Sequence, residues 1–121
     1  MQDNYQFGLA RQVLDLCQTV EEGLKYLKLQ SGLGKMGNTG YLFIDICNAF
    51  MVISNSLEAF EDDSAKMDAA FSSVDISLQA MINLYADQSF EQAWVELQYL
   101  LLPAFETWQD SLQKYLQPYL Q

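Results

Sequence analysis

Apolar residues recur at alternating intervals of three and four along most of this chain, and that spacing constrains the fold more than any other feature. Such a period places the residues on one face of an α-helix, whereas no segment alternates at the period of two that a half-buried strand shows. The four stripes are Ala10, Val13, Cys17, Val20, Leu24 and Leu27; Phe43, Ile46, Phe50, Ile53, Leu57 and Phe60; Met67, Phe71, Val74, Leu78, Met81 and Tyr85; and Phe90, Trp94, Leu97, Leu101, Ala104 and Trp108. The sequence therefore predicts an all-α fold.

Local signals divide the stripes into helices. Residues 31–40 contain four of the six glycines, which predicts a loop after the first helix. Asn38 or Thr39 is available to cap the second helix, Asp62, Asp63 or Ser64 to cap the third, and Ser89 followed by Gln92 forms a possible capping box for the fourth. The predicted helices span about Asn4 to Gln30, Thr39 to Glu61 and Ser64 to Ala86, and a fourth begins near Phe90.

Pro103 interrupts the fourth stripe. Proline lacks the backbone N–H and clashes with the preceding turn, so the helix either kinks there or ends near Leu102 and restarts. Four long helices joined by short turns bury their stripes most simply as an antiparallel up-down bundle, with four or five helices depending on Pro103. A chain of 121 residues, half of them hydrophobic, fits a single domain over residues 1–121.

Charge limits the partners. With 16 acidic and 6 basic residues the net charge is −10, which disfavours binding to nucleic acid or to an anionic membrane surface. The start of the sequence lacks the basic and apolar stretches of a signal peptide, and no apolar segment approaches the roughly 20 residues of a membrane span. We therefore expect a cytoplasmic protein.

Catalytic chemistry finds little support in the sequence. The letters G-x-G-x-x-G occur at residues 32–37, but they follow a helix instead of a strand, so a flexible loop is the favoured interpretation. The chain has no histidine and no Ser-x-x-Lys spacing, and Cys17 and Cys47 lie among apolar helical positions that favour buried, unreactive thiols. The sequence therefore predicts a protein that is not an enzyme, with no catalytic, cofactor-binding or metal-binding residues.

One alternative would make the protein an enzyme. Glu21, Glu22, Glu58, Glu61 and Asp62 partly resemble the paired E-x-x-E and E-x-x-D elements with which all-helical nucleotide pyrophosphatases bind magnesium. Lys25 stands where the first element needs an acid, and Glu61 where the second needs its Asp. A solvated face and a capping turn explain these residues more simply, since a Mg²⁺ site needs carboxylates that converge.

The C-terminal part of the chain has more apolar surface than one core stripe requires. Val95, Tyr99 and Leu102 line a second face of the fourth helix, and Trp94 adds a large aromatic ring beside it. Aromatic residues are enriched both in cores and at interface hot spots, so this helix either lies at the centre of the bundle or binds a partner. We take Trp94, Val95, Tyr99 and Leu102 as the candidate interface.

These features favour a protein-binding or adaptor bundle, similar in general to a small acidic chaperone, whose partner is another protein or a second copy in a homodimer. An acidic decoy that inhibits a basic nucleic-acid-binding protein is the first alternative, and a magnesium-dependent enzyme of the pyrophosphatase kind is the second. The many glutamines at solvated positions argue against the dense carboxylate track that a decoy needs.

The sequence-based interface predicts the behaviour of one variant. If the second face of the fourth helix forms a homodimer, Tyr99→Glu should dissociate that dimer without unfolding the chain, because the new carboxylate would be desolvated in the contact. Light scattering across a dilution series measures the mass. A monomer for both proteins would direct the search to an external partner, or would identify this face as ordinary core.

Overall fold

Five α-helical segments account for most of residues 4–60 and 68–121, the part of the chain described by this computed structural model. They are α1 (Asn4–Gly32), α2 (Gly40–Ser56), α3 (Ala69–Ala86), α4 (Phe90–Glu96) and α5 (Leu102–Leu116). A π-helical turn (Leu97–Leu101) joins α4 to α5, and short 3-10 turns occupy Met36–Asn38, Leu57–Ala59 and Gln117–Leu120. No β-strand occurs in these two ranges, so the predicted all-α class is confirmed.

The helices pack as the predicted bundle. Helix α1 lies along α2 and also contacts α5, while α3 lies along α4, the π-helical turn and α5. Buried apolar side chains from every helix form one core cluster. The stripes predicted for the first two helices are buried along their whole length, which confirms the three-four spacing as the determinant of the core.

An aromatic cluster forms the centre of the core. The ring of Trp108, fully buried on α5, contacts Phe50 of α2 at a centroid distance of 5.4 Å and Phe71 of α3 at 5.5 Å. Phe50 and Phe71 also stack on each other at 5.4 Å, and Phe105 meets Trp108 edge to face at 5.9 Å. Because these rings come from three helices, one cluster fixes the mutual position of α2, α3 and α5.

The helix continues through Pro103 without a break. In the π-helical turn the N–H of Leu102 donates to the carbonyl of Leu97, five residues earlier, and Pro103, which has no N–H to donate, follows as the second residue of α5. Residues 90–116 therefore form one continuous helical rod, and the irregularity that the sequence predicted at Pro103 lies one turn earlier. The wider turn shifts the register, so Phe105 instead of the predicted Ala104 enters the core.

Three helix starts differ from expectation. Thr39 occupies the N-cap position of α2, as predicted, but its side chain makes no capping bond. Asp68 caps α3 through its Oδ1, which accepts from the N–H of Ala70 at 2.7 Å, while the predicted caps Asp62, Asp63 and Ser64 lie outside the described residues, as does the predicted end of the second helix at Glu61. Ser89 precedes α4 but makes no side-chain capping bond, so the predicted capping box is wrong.

Glycine is needed at two places in the α1–α2 hairpin. Gly34 has a φ of +74°, a left-handed conformation that residues with a Cβ adopt at a cost. A Cβ at Gly23 would lie 3.3 Å from the side chain of Ile46, so its absence lets α1 and α2 approach closely. These two positions set the turn and the spacing of the hairpin.

The aromatic cluster predicts a large cost for one truncation. Trp108→Ala should lower the free energy of unfolding by about 3–5 kcal/mol, because it removes a fully buried ring that contacts three others. Tyr99→Ala, which truncates an exposed ring, should change it by less than about 0.5 kcal/mol. Urea unfolding followed by circular dichroism measures both. Equal effects would show that Trp108 is not the centre of the core.

Candidate interaction surfaces

The structure separates the four residues of the predicted interface. Val95 and Tyr99 are exposed, at 46 % and 63 % of their surface, and with the exposed Leu100 they form what we term the α4 face. Ala80 of α3 lines a shallow groove beside Val95, and Ile76, one turn earlier on α3, is also exposed. The α4 face therefore continues onto α3.

Leu102 does not belong to this face. Only 6 % of its surface is exposed, and it packs in the core. The π-helical turn is the physical reason, since the extra residue in that turn brings both Leu101 and Leu102 toward the core. The assignment of Leu102 to an exposed interface was wrong.

Trp94 is half-buried and faces a different groove from Val95. It lines a groove of about 530 Å³ between the end of α1 and the helical rod, which we term the Trp94 groove. The groove is lined by Lys25, Lys28, Leu29, Gly32, Leu33, Trp94 and Gln98. On its other side the indole borders a smaller cavity of about 290 Å³ against the glycine-rich loop.

A further apolar surface lies on α2 and was missed by the sequence reasoning. Its outer side exposes Tyr41, Ile44, Met51 and Val52, each by more than half, and Tyr41 by 87 %. We term these four residues the α2 face. The signal was present in the sequence, because α2 contains apolar residues well beyond its core stripe, as the C-terminal helix does.

The α2 face borders a groove between α2 and α3. This groove measures about 370 Å³ and is lined by Gly40, Phe43, Ile44, Cys47, Asn48, Ile82 and Tyr85. Phe43 stacks on Tyr85 with ring centroids 4.7 Å apart, so an aromatic pair from the two helices forms its wall. The lining is mostly apolar, which suits the side chain of a second molecule.

The phenol of Tyr85 is held by a hydrogen bond that the sequence did not predict. The Thr39 hydroxyl donates to the carbonyl of Met36, so its oxygen is left to accept from the Tyr85 hydroxyl at 2.7 Å. Burial raises the pKa of Tyr85, and the phenol stays neutral at physiological pH. This bond ties the loop before α2 to the end of α3.

The two thiols are unsuited to nucleophilic chemistry. Both are free; Cys17 is buried and Cys47 is half-buried in the α2–α3 groove. Burial raises the pKa of Cys17 from 9.0 to about 12 and that of Cys47 from 9.0 to about 11. The thiolate is therefore scarce at neutral pH. The predicted burial is confirmed for Cys17, whereas Cys47 is only half-buried.

The described carboxylates of the pyrophosphatase alternative are divided between α1 and the 3-10 turn after α2. Glu21 on α1 pairs with Lys25 at 3.9 Å, Glu22 is exposed, and Glu58 is exposed on the 3-10 turn after α2. Glu61 and Asp62 lie outside the described residues. In the ranges 4–60 and 68–121 no three His, Cys, Asp or Glu side chains gather closely enough to hold a metal ion.

Residues Gly40–Ala59 form a helix that is apolar and long enough to cross a membrane, which the sequence analysis overlooked. The segment has 20 residues and a mean hydropathy of 1.3, and 28 % of it is buried. Length and composition alone define this property, and a core helix of a bundle shares it. Here Phe43, Ile46, Phe50 and Ile53 face the core.

The fold and these surfaces define an acidic four-helix bundle with uncovered apolar faces. The chain belongs to the family described as "Domain of unknown function (DUF8042)", which matches residues 9–111. No curated protein and no solved structure matches the chain.

The raised pKa values predict slow alkylation of both thiols by iodoacetamide. At pH 8, shifts of this size lower the thiolate fraction about a hundredfold for Cys47 and about a thousandfold for Cys17. The two thiols ionise at a lower pH in the unfolded chain than in the folded protein. The free energy of unfolding should therefore also fall as the pH rises above about 9. Mass spectrometry of the folded protein and of the protein in denaturant measures the rates. Modification of folded Cys47 at the denatured rate would contradict this account.

Proposed function

We propose that the protein is a non-enzymatic, protein-binding helical bundle that acts as a homodimer through the α2 face. The observation that carries the proposal is that α2 has large apolar side chains on its outer side as well as on its core side. Its inner side packs in the core, while Tyr41, Ile44, Met51 and Val52 remain more than half exposed beside an apolar groove. Exposed apolar surface of this kind marks sites where proteins associate.

Charge favours a second copy as the occupant of the α2 face. The chain carries a net charge of −10, so contacts between copies have to avoid close carboxylates. Helix α2 contains a single charged residue, Asp45, so few carboxylates would meet in such a contact. A two-fold axis would place each α2 face against its equivalent and fill each groove with apolar side chains of the other copy.

The acidic decoy is supported by one observation. Helices α2, α3 and α4 contain no Lys or Arg, and their charged residues are Asp45, Asp75, Glu91 and Glu96. Salt separates the two functions, because screening weakens a complex with a basic partner but relieves the repulsion between two acidic copies. Because these helices have acidic and no basic residues, they also argue against binding to nucleic acid or to a membrane, as we infer from the sequence.

The proposed dimer predicts that one of two charge substitutions weakens association and that the other has no effect. Met51→Glu should raise the dissociation constant at least about tenfold, because the carboxylate would be desolvated in the α2 contact. Tyr99→Glu is the matched control, since it adds the same charge to an equally exposed apolar position on the α4 face and should leave the mass unchanged. Light scattering across a dilution series, at low and high salt, measures both.

Two other outcomes would contradict the proposed α2 interface. Dissociation by Tyr99→Glu and not by Met51→Glu would move the interface to Val95 and Tyr99, as the sequence alone predicted. A monomer at every concentration would contradict the homodimer. Circular dichroism of both variants verifies that the helices stay folded.

A further inference from the structure

A shallow groove lies between α3 and α4, beside the α4 face. It measures about 720 Å³, and we term it the α3–α4 groove. Its lining includes Ala80 and Leu84 of α3 and Val95 of α4, which are apolar, and Glu91 and Glu96 of α4, which are acidic. The groove therefore combines an apolar surface with two carboxylates.

Exposed apolar side chains continue this surface beyond the groove. Ile76 lies one turn before Ala80 on the same side of α3 and is 69 % exposed, and Tyr99 of the α4 face is 63 % exposed. The positions from Ile76 to Leu84 correspond to about 12 Å along α3, at about 1.5 Å per residue. Three side chains at positions i, i+4 and i+7 of a docked helix would span about 10 Å, so the surface has the length that such a helix needs.

A hydrogen bond between the two helices holds one of the carboxylates in place. The hydroxyl of Ser77, a buried residue of α3, donates to Oε2 of Glu96 on α4 at 2.6 Å. A carboxylate has about four acceptor positions, so Glu96 can also accept from a cation in the groove. Because this carboxylate is already positioned, a partner would not have to order it on binding.

The surroundings of the groove are acidic and contain no basic residue of α3 or α4. Residues 69–101, which form α3, α4, the π-helical turn and the connection between α3 and α4, include Asp75, Asp87, Glu91 and Glu96 and no Lys or Arg. Neither Glu91 nor Glu96 forms an ion pair with any of the described residues. The charge of this surface therefore complements a basic partner.

The backbone of the groove favours a helix over an extended segment as its occupant. The N–H and C=O groups of both walls bond within their own helices. At the end of α3, the N–H groups of Asp87 and Ser89 donate to the carbonyls of Asn83 and Leu84 at 3.0 and 2.8 Å. An extended segment would find no backbone partner there and would bury unpaired peptide groups, whereas a helix satisfies its own.

We propose that the α3–α4 groove binds a basic amphipathic helix of a partner protein. Apolar side chains at positions i, i+4 and i+7 of that helix pack on Ile76, Ala80 and Val95, and the Lys or Arg side chains beside them pair with Glu91 and Glu96. The site shares no residue with the α2 face, so the proposal does not rest on the dimer.

Selection from a random library tests the proposal without knowledge of the partner. Random linear peptides displayed on phage are selected on wild-type protein, with an excess of the soluble double variant Glu91→Lys/Val95→Lys as competitor. Surviving peptides should contain Lys or Arg and should place their apolar residues three or four positions apart. An acidic consensus, apolar residues at alternate positions, or no peptide that survives the competition would overturn the proposal.

Variants then test the apolar contact with a labelled selected peptide by fluorescence anisotropy. Val95→Lys should weaken binding at least about tenfold, because its ammonium would be desolvated against apolar side chains and repelled by the basic ones. Val52→Lys is the matched control, since Val52 is exposed to a similar extent on the α2 face, at 53 % against 46 % for Val95. It should bind the peptide as wild type does, so a failed dimer leaves this test intact.

A second pair of variants tests the charge contact. Glu91→Gln should weaken binding about two- to fivefold at low salt and should reduce its salt dependence, the effect of an ion pair at the rim of a contact. Glu106→Gln, which removes an exposed carboxylate of α5 outside the groove, should change neither. Circular dichroism verifies that each variant stays folded. Unchanged affinity in Val95→Lys and Glu91→Gln would overturn the assignment of the site.

Two further measurements test the occupant. The Cα chemical shifts of an isotope-labelled selected peptide should become helical on binding, and a proline at its centre should weaken binding more than about tenfold; shifts of an extended chain would overturn the proposal. Light scattering should give the same mass for Val95→Lys and for wild type. Dissociation of a dimer by Val95→Lys would assign the groove to a second copy of the chain and would also overturn the proposal.

Discussion

The contact of Trp108 with Phe50 and Phe71 is the interaction on which the rest of the structure depends. These rings belong to α5, α2 and α3, and they meet around the fully buried Trp108 at centroid distances of 5.4 and 5.5 Å. Helix α2 is otherwise packed mainly along α1. Helix α2 contacts the cluster and α1 through its inner side. The apolar side chains on its outer side therefore remain exposed.

The core could be predicted from the sequence, because burial follows a short-range periodicity. The stripes from Ala10 to Leu27 and from Phe43 to Phe60 were recognised by their spacing and are buried throughout. That periodicity stops being reliable at the π-helical turn, which adds a residue to the repeat. Leu102 was therefore placed on an exposed face although it lies in the core, and Phe105 was passed over in favour of Ala104.

The surfaces could be predicted only in part, because exposure depends on which helices are neighbours. Val95 and Tyr99 were expected on an apolar face and are exposed, whereas Trp94 lies in a separate groove against α1. The α2 face was missed because extra apolar residues on a core helix are normally buried by the two adjacent helices, so they do not indicate an exposed surface. The burial of Trp94 Nε1 and Gln98 Oε1, for which the described residues show no hydrogen-bond partner, depends on tertiary packing, which no local pattern in the sequence encodes.

The central claim is that the α2 face is covered by a second copy of the chain. An isotope-filtered nuclear Overhauser experiment on a mixture of labelled and unlabelled protein tests it most directly, because it detects only contacts between copies. We expect cross-peaks that join the methyl groups of Ile44, Met51 and Val52 of one copy to α2 of the other. Cross-peaks from Val95 and Tyr99 alone, or none at concentrations where a dimer should form, would contradict the claim.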